Sequence, residues 1–165
     1  MSETVEVFIG VGSNVDRERH IRAGLDALAR AFGELQVSPV YESEAVGFDG
    51  SPFFNLVVGV RTNRPVAELS QCLKAIEQEH GREPNAKRFS PRTLDLDILT
   101  YGDLDHPRDG VDIPRGEILV NAFVLRPLAE LAGDRRHPVD GRTYRELWYA
   151  YHSDQKLWPA AFRWR

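Results

Sequence analysis

The chain has 165 residues, with 25 acidic and 21 basic side chains and a formal charge of -4. That length can bury a substantial core, while the charge gives no whole-molecule attraction to nucleic acid or anionic membranes. The single Cys72 excludes an internal disulfide, and no apolar run approaches the roughly 20 residues of a membrane span. The opening Met-Ser-Glu-Thr lacks the basic and apolar regions of a secretion signal. One cytoplasmic domain over residues 1–165 is the expectation.

Val5, Val7, Ile9 and Val11 recur every second residue and predict a first strand ending at Gly12-Ser13-Asn14, a tight turn where Ser or Asn can cap a helix. Ile21, Leu25, Leu28 and Phe32 then share one helical face, closed by Gly33. Residues 35–40 read as a second strand and 41–52 as a loop. Phe54, Leu56, Val58 and Val60 mark a third strand, with Asn55 on its opposite face. Pro65 opens a second helix with the core stripe Val66, Leu69, Leu73 and Ile76, ending at Gly81. A polar, basic loop leads to a fourth strand. The order is strand, helix, strand, strand, helix, strand: an α+β fold with a ferredoxin-like βαββαβ core, a mainly antiparallel sheet and flanking helices. Residues 102–114 read as a loop with a short strand, and 123–131 as a short helix. Thr143 and Glu146 form a capping box for another helix beginning near Tyr144. From about 143 the chain is rich in aromatics and reads as a tail packed on the domain or on a partner subunit.

The fourth strand carries the chemistry. Leu94, Leu96 and Ile98 alternate with Asp95 and Asp97, and in an extended chain side chains two apart share a face, with Cα atoms about 7 Å apart. Two anions at that spacing repel, and Asp is disfavoured in strands. One or two divalent cations, bound between the carboxylates and a phosphate chain, would relieve the repulsion. A plain polar outer face is the competing reading. Against it stands the loop just upstream, where Arg82, Lys87, Arg88 and Arg92 face the single acid Glu83; arginine forks suit phosphate oxygens. Asn55, with a donor and an acceptor, fits either a structural hydrogen bond or the polar edge of a heterocycle.

Gly12-Ser13-Asn14, the loop over 41–47, Phe54-Asn55, Pro91-Arg-Thr-Leu-Asp-Leu-Asp-Ile98 and Ala122-Phe-Val-Leu-Arg-Pro-Leu128 follow one another in order over most of the chain. Together they resemble the 6-hydroxymethyl-7,8-dihydropterin pyrophosphokinase family of folate biosynthesis. The resemblance implies transfer of a pyrophosphoryl group from ATP, the co-substrate, to the pterin hydroxymethyl oxygen, with release of AMP. It also implies that Asp95 and Asp97 hold two magnesium ions, with Arg82 and Arg92 beside the triphosphate as further catalytic groups. On the nucleotide side it places Lys74, Glu77, Arg88, Phe89, Arg92, Ile98 and Arg115. On the pterin side it places Asn55 as hydrogen-bonding partner, Phe123 as stacking ring, Phe53 beside it, and Ser43, Ala45, Val46 and Gly47 in a loop that reads the ring edge. The implied partners are these small molecules, with no nucleic acid and no membrane, in a monomer or homodimer.

The chain also departs from the family pattern. Arg115 stands after Pro114 where the family usually has His, and Asn121 where an Arg is common. Arg88-Phe89-Ser90 replaces the usual Arg-Trp-Gly, Phe53 stands where Tyr is frequent, and Pro84 and Asn85 take loop positions that are often basic. The metal and pterin signatures are thus closer to the pattern than the nucleotide-contacting ones. A pterin- or nucleotide-binding paralogue, without catalysis or with shifted substrates, is the alternative reading. An RNA-binding module, a frequent use of ferredoxin-like sheets, is opposed by the acidic balance and by the aspartates on the strand.

Overall fold

Alternation along the strands sorts the side chains onto two faces of one sheet, and each face is covered by helices. The computed structural model describes residues 3–44, 51–81 and 93–164. In chain order the elements are β1 (Val5–Ser13), α1 (Arg17–Phe32), β2 (Gln36–Val37), β3 (Tyr41–Ser43), β4 (Phe53–Thr62), α2 (Val66–Glu79), β5 (Asp95–Tyr101), α3 (Glu117–Val120), α4 (Ala122–Ala132), α5 (Tyr144–Ala150) and β6 (Leu157–Pro159). The strand order is β5-β1-β4-β3-β6, with β2 also on β4, and every pairing is antiparallel. The expected α+β, ferredoxin-like order is therefore present, with β6 added at the edge.

Val7, Ile9 and Val11 of β1, Leu56, Val58 and Val60 of β4, and Leu96 and Ile98 of β5 form the first core with the apolar stripes of α1 and α2. On the other face Phe8, Val57 and Leu99 meet Ile118, Val124, Leu125, Leu128, Tyr144 and Leu147 from α3, α4 and α5. Each fully buried aliphatic or aromatic side chain contributes roughly 1.5–3 kcal/mol, so these two layers hold the sheet against the cost of what it carries at one end.

Three local expectations are corrected. Residues 35–40 are not one strand: β2 covers only Gln36–Val37, and β3, Tyr41–Ser43, falls where a loop was read. Pro39 has no N–H for the ladder. Ser38 bridges the break, its N–H donating to Val57 O at 2.9 Å and its hydroxyl accepting from Val57 N at 2.8 Å. Neither Ser13 nor Asn14 caps α1. Ser13 belongs to β1 and donates to Val15 O, Asn14 donates to Ser51 O, and the cap position is Asp16 in a left-handed conformation with φ 47°. Residues 102–114 contain a single bridge, Arg108 to Val111, in place of a short strand. The Thr143–Glu146 capping box and a helix from Tyr144 are present as expected.

Candidate active site

One register level of the sheet gathers most of the described candidates. Gly12 of β1 lies opposite Asp95 of β5 on one side and Asn55 of β4 on the other, and Asn55 lies opposite Tyr41 of β3. Gly10 lies opposite Asp97, and Phe53 opposite Ser43. Period-2 alternation puts Asp95, Asp97, Asn55, Phe53 and Ser43 on the face that also carries Phe8 and Val57. Neighbouring strands are about 4.8 Å apart, so Asp95 and Asn55, two strands apart, are separated by roughly 10 Å at Cα. That span suits a site in which one group binds at the carboxylates and another at the amide.

Glycine keeps the ground between them open. A Cβ at Gly12 would lie 3.2 Å from Asn55 Oδ1 and 3.7 Å from Phe53 Cδ1. Any side chain there would press on the amide that the sequence singles out. Asn55 is held by its Nδ2, which donates to Ser43 Oγ at 2.7 Å. This leaves Ser43 a task as an anchor for Asn55, which is itself a candidate for reading a ligand.

The carboxylates are under electrostatic strain. Burial first, and then the adjacent charge of Asp95, hold the Asp97 carboxyl well above the usual carboxylate range, while the Arg115 guanidinium opposes them; the two carboxyls also share a hydrogen bond. A divalent cation favours the charged form of both. Among the described residues no group of three or more His, Cys, Asp or Glu is placed to hold a metal. Two hard carboxylates two residues apart on one face fit a magnesium ion, a cation that usually takes several of its oxygen ligands from phosphate and water.

Arg115 Nη2 is 3.8 Å from Asp97 Oδ1 and 2.7 Å from Glu117 Oε1, with Nε donating to the same Glu117 oxygen at 2.9 Å. The cation thus sits beside the carboxylate pair, anchored chiefly by Glu117. Its main-chain N–H donates to Leu99 O at 2.8 Å, which fixes this segment, with its cis Ile113–Pro114 bond, against β5. Glu117 escaped the sequence reading, and acidity in the first turn of a four-residue helix would not have found it.

The remaining candidates are dispersed. Glu77 is buried and accepts from Leu96 N at 2.8 Å, so it secures the outer edge of β5 between the two aspartates. Ile98 is enclosed in the first core, on the face opposite the carboxylates, and Lys74 is on the exposed side of α2. Phe123, half-buried near the start of α4, packs at the margin of the second core. Ala45, Val46, Gly47, Arg82, Arg88, Phe89 and Arg92 lie outside the described residues. A depression of about 730 Å³ beside α1, lined by Arg17, Arg19, Arg22, Asp26 and Phe54 among others, does not include the carboxylates.

Residues 8–133 match the family model described as 7,8-dihydro-6-hydroxymethylpterin-pyrophosphokinase. A 2-amino-4-hydroxy-6-hydroxymethyldihydropteridine pyrophosphokinase of Pseudomonas aeruginosa is 44% identical over 147 residues, 86% of this chain and 88% of the relative. One of the same name from Bacillus subtilis is 35% identical over 128 residues, 75% of this chain and 76% of the relative. In fold, the chain is similar to the crystal structure of the Plasmodium falciparum HPPK-DHPS triple mutant with pteroate. The TM-score is 0.70 at 15% identity, covering 91% of this chain and 44% of that one. With the carboxylates of β5 and Asn55 of β4 on one face of a sheet of this topology, the chain belongs to the 7,8-dihydro-6-hydroxymethylpterin-pyrophosphokinase family.

Proposed function

We propose that the chain transfers the terminal diphosphate of ATP to 6-hydroxymethyl-7,8-dihydropterin. The acceptor hydroxymethyl oxygen bonds to the β-phosphorus, and the bond from that phosphorus to the oxygen bridging it to the α-phosphate breaks. AMP leaves with that oxygen, and the hydroxyl proton passes to water. The observation that carries the reading is the pairing, across a glycine floor, of two adjacent carboxylates with an anchored amide.

Phosphoryl-type transfer depends mainly on positioning and charge, and the residues divide accordingly. Asp95 and Asp97 would hold magnesium, two ions in this proposal, which neutralises the polyphosphate and polarises its oxygens. Arg115 adds a permanent cation beside that position, and Arg82 and Arg92 are assigned to the triphosphate by resemblance to the family. Asn55, steadied by Ser43, orients the pterin through its amide. Phe53 and Phe123 supply ring faces, since a flat heterocycle needs a surface to stack on and a few convergent polar groups to orient it.

Incubation with 6-hydroxymethyl-7,8-dihydropterin and magnesium-ATP, followed by separation of products, tests the proposal. AMP and a pterin diphosphate in equal amounts are expected. Pterin binding with no AMP release would overturn it in favour of a binding paralogue.

A further inference from the structure

The start of α4 is capped from a distant part of the chain. Asn121, the residue before the helix, makes no capping bond with its side chain. The Ala122 N–H, one of the donors a helix start leaves without an internal partner, donates instead to Gln155 Oε1 at 2.7 Å. Gln155 Nε2 donates to Asn121 Oδ1 at 2.9 Å and to Val120 O at 3.3 Å, and Tyr151 supports the same turn by donating from its hydroxyl to Val120 O at 2.7 Å. One side-chain amide therefore fastens three successive residues, and Phe123 is the next.

The same stretch of chain reaches the other wall of the site. Two residues after Gln155, Leu157 of β6 pairs with Ser43 of β3, the residue that accepts from Asn55. Residues 155–157 thus tie the amide side of the site to the helix start that carries Phe123. Asn121 also extends the connection inward, its Nδ2 donating to Glu117 Oε2 at 3.3 Å on the carboxylate that holds Arg115.

We propose that Gln155 is a positioning residue for the acceptor: it fixes the first turn of α4, and with it the Phe123 ring, relative to Asn55. The inference rests on the functional reading above. It goes further by giving the C-terminal segment a part in acceptor affinity. Gln155 is exposed, so its replacement leaves both cores intact.

Steady-state kinetics with 6-hydroxymethyl-7,8-dihydropterin and magnesium-ATP, and calorimetric titration of the same pterin with a non-hydrolysable magnesium-ATP analogue present, test it on the full chain. Gln155→Ala should raise the acceptor KM and Kd about fivefold, the scale of a lost capping bond, with the KM for ATP little changed and the melting temperature lowered by no more than about 2–4 °C. Gln155→Glu keeps an acceptor for Ala122 N–H but loses the donor, and should restore about half of that change on a logarithmic scale. An unchanged acceptor KM and Kd in Gln155→Ala would overturn the proposal. So would a rise that appears equally for ATP in protein that is still folded at the assay temperature. If the unaltered protein binds the pterin but releases no AMP, the catalytic reading fails while the Kd comparison still decides the role of Gln155. If it binds no pterin, both fail.

Discussion

Asp97 is a strained carboxylate: only partly exposed, hydrogen-bonded to Asp95, and only partly compensated by Arg115 at 3.8 Å. Replacing Asp97 by Asn removes one of two neighbouring like charges without changing the volume. In metal-free buffer Asp97→Asn should raise the melting temperature, while turnover falls at least tenfold because a hard anionic ligand is lost. Asp95→Asn should lose turnover to the same extent. Thermal melts in chelator and magnesium titrations of activity check the pair. Unchanged activity and metal dependence in both variants would remove them as ligands. Arg115 allows a second test beside them. If it contacts polyphosphate, Arg115→Ala should weaken ATP binding by about 1.5–3 kcal/mol, the scale of a charged hydrogen bond, and leave pterin affinity nearly intact. Arg115→Lys should recover only part of this, since Lys restores the charge but lacks the fork. Calorimetry with each ligand separates the two sides of the site. The aspartates were legible in the sequence because charge at period 2 inside an apolar strand is locally anomalous. The bond from Glu117 to Arg115 was not, because nothing in the spacing of 115 and 117 distinguishes a functional anchor from two exposed side chains.

Among the elements, those with a long, unbroken period were read correctly, because burial on one side imposes that period. β1, β4, β5, α1 and α2 are of this kind. β2 and β3 are too short to show a period, and Pro39 divides them, so only the pairing with β4 reveals both. β6 has three residues and exists because β3 offers an edge. The turn between α4 and α5 depends likewise on one side chain that sequence spacing does not single out. His137 is buried, and its Nδ1 accepts the N–H groups of Val139 at 3.2 Å and Asp140 at 3.0 Å. Burial lowers the His137 pKa, with Asp140 opposing, so the folded state favours the neutral ring. The unfolded chain takes up the proton first, near pH 6.5, and stability is complete above that value and declines as pH falls toward the folded pKa. Denaturant melts should therefore show a loss that sets in as pH falls through about 6.5, which His137→Asn, keeping an acceptor that does not titrate, should flatten. An identical pH slope in the variant would locate the loss elsewhere.

At the scale of the whole molecule, part of the C-terminal segment docks on the first core. The expectation of a tail packed on the domain or on a partner left open which residues dock, and the structure divides them. Trp158 is 44% exposed and Tyr149 is 78% exposed. Phe162 and Trp164, by contrast, pack on the first core. Phe162 meets Phe54 edge to face at 6.3 Å and lies under the Arg22 guanidinium at 4.9 Å, and Trp164 Nε1 donates to Asp26 Oδ1 at 2.9 Å. Both therefore dock against α1 beyond the β3 edge, and β6 fills that edge, which would otherwise present unpaired main-chain groups. Phe54 precedes Asn55 in β4 but faces the opposite side of the sheet, so this docking supports the strand without touching the site. Phe162→Ala should cost about 2 kcal/mol, below the 3–5 kcal/mol of a fully buried ring because Phe162 is only half-buried. Trp158→Ala should change stability by less than about 0.5 kcal/mol, as surface substitutions usually do. In thermal melts the first corresponds to a fall of roughly 4–8 °C for a protein of this size, with turnover at 25 °C preserved. Equal, small effects of the two substitutions would mean that the end of the chain does not contribute to the core in solution.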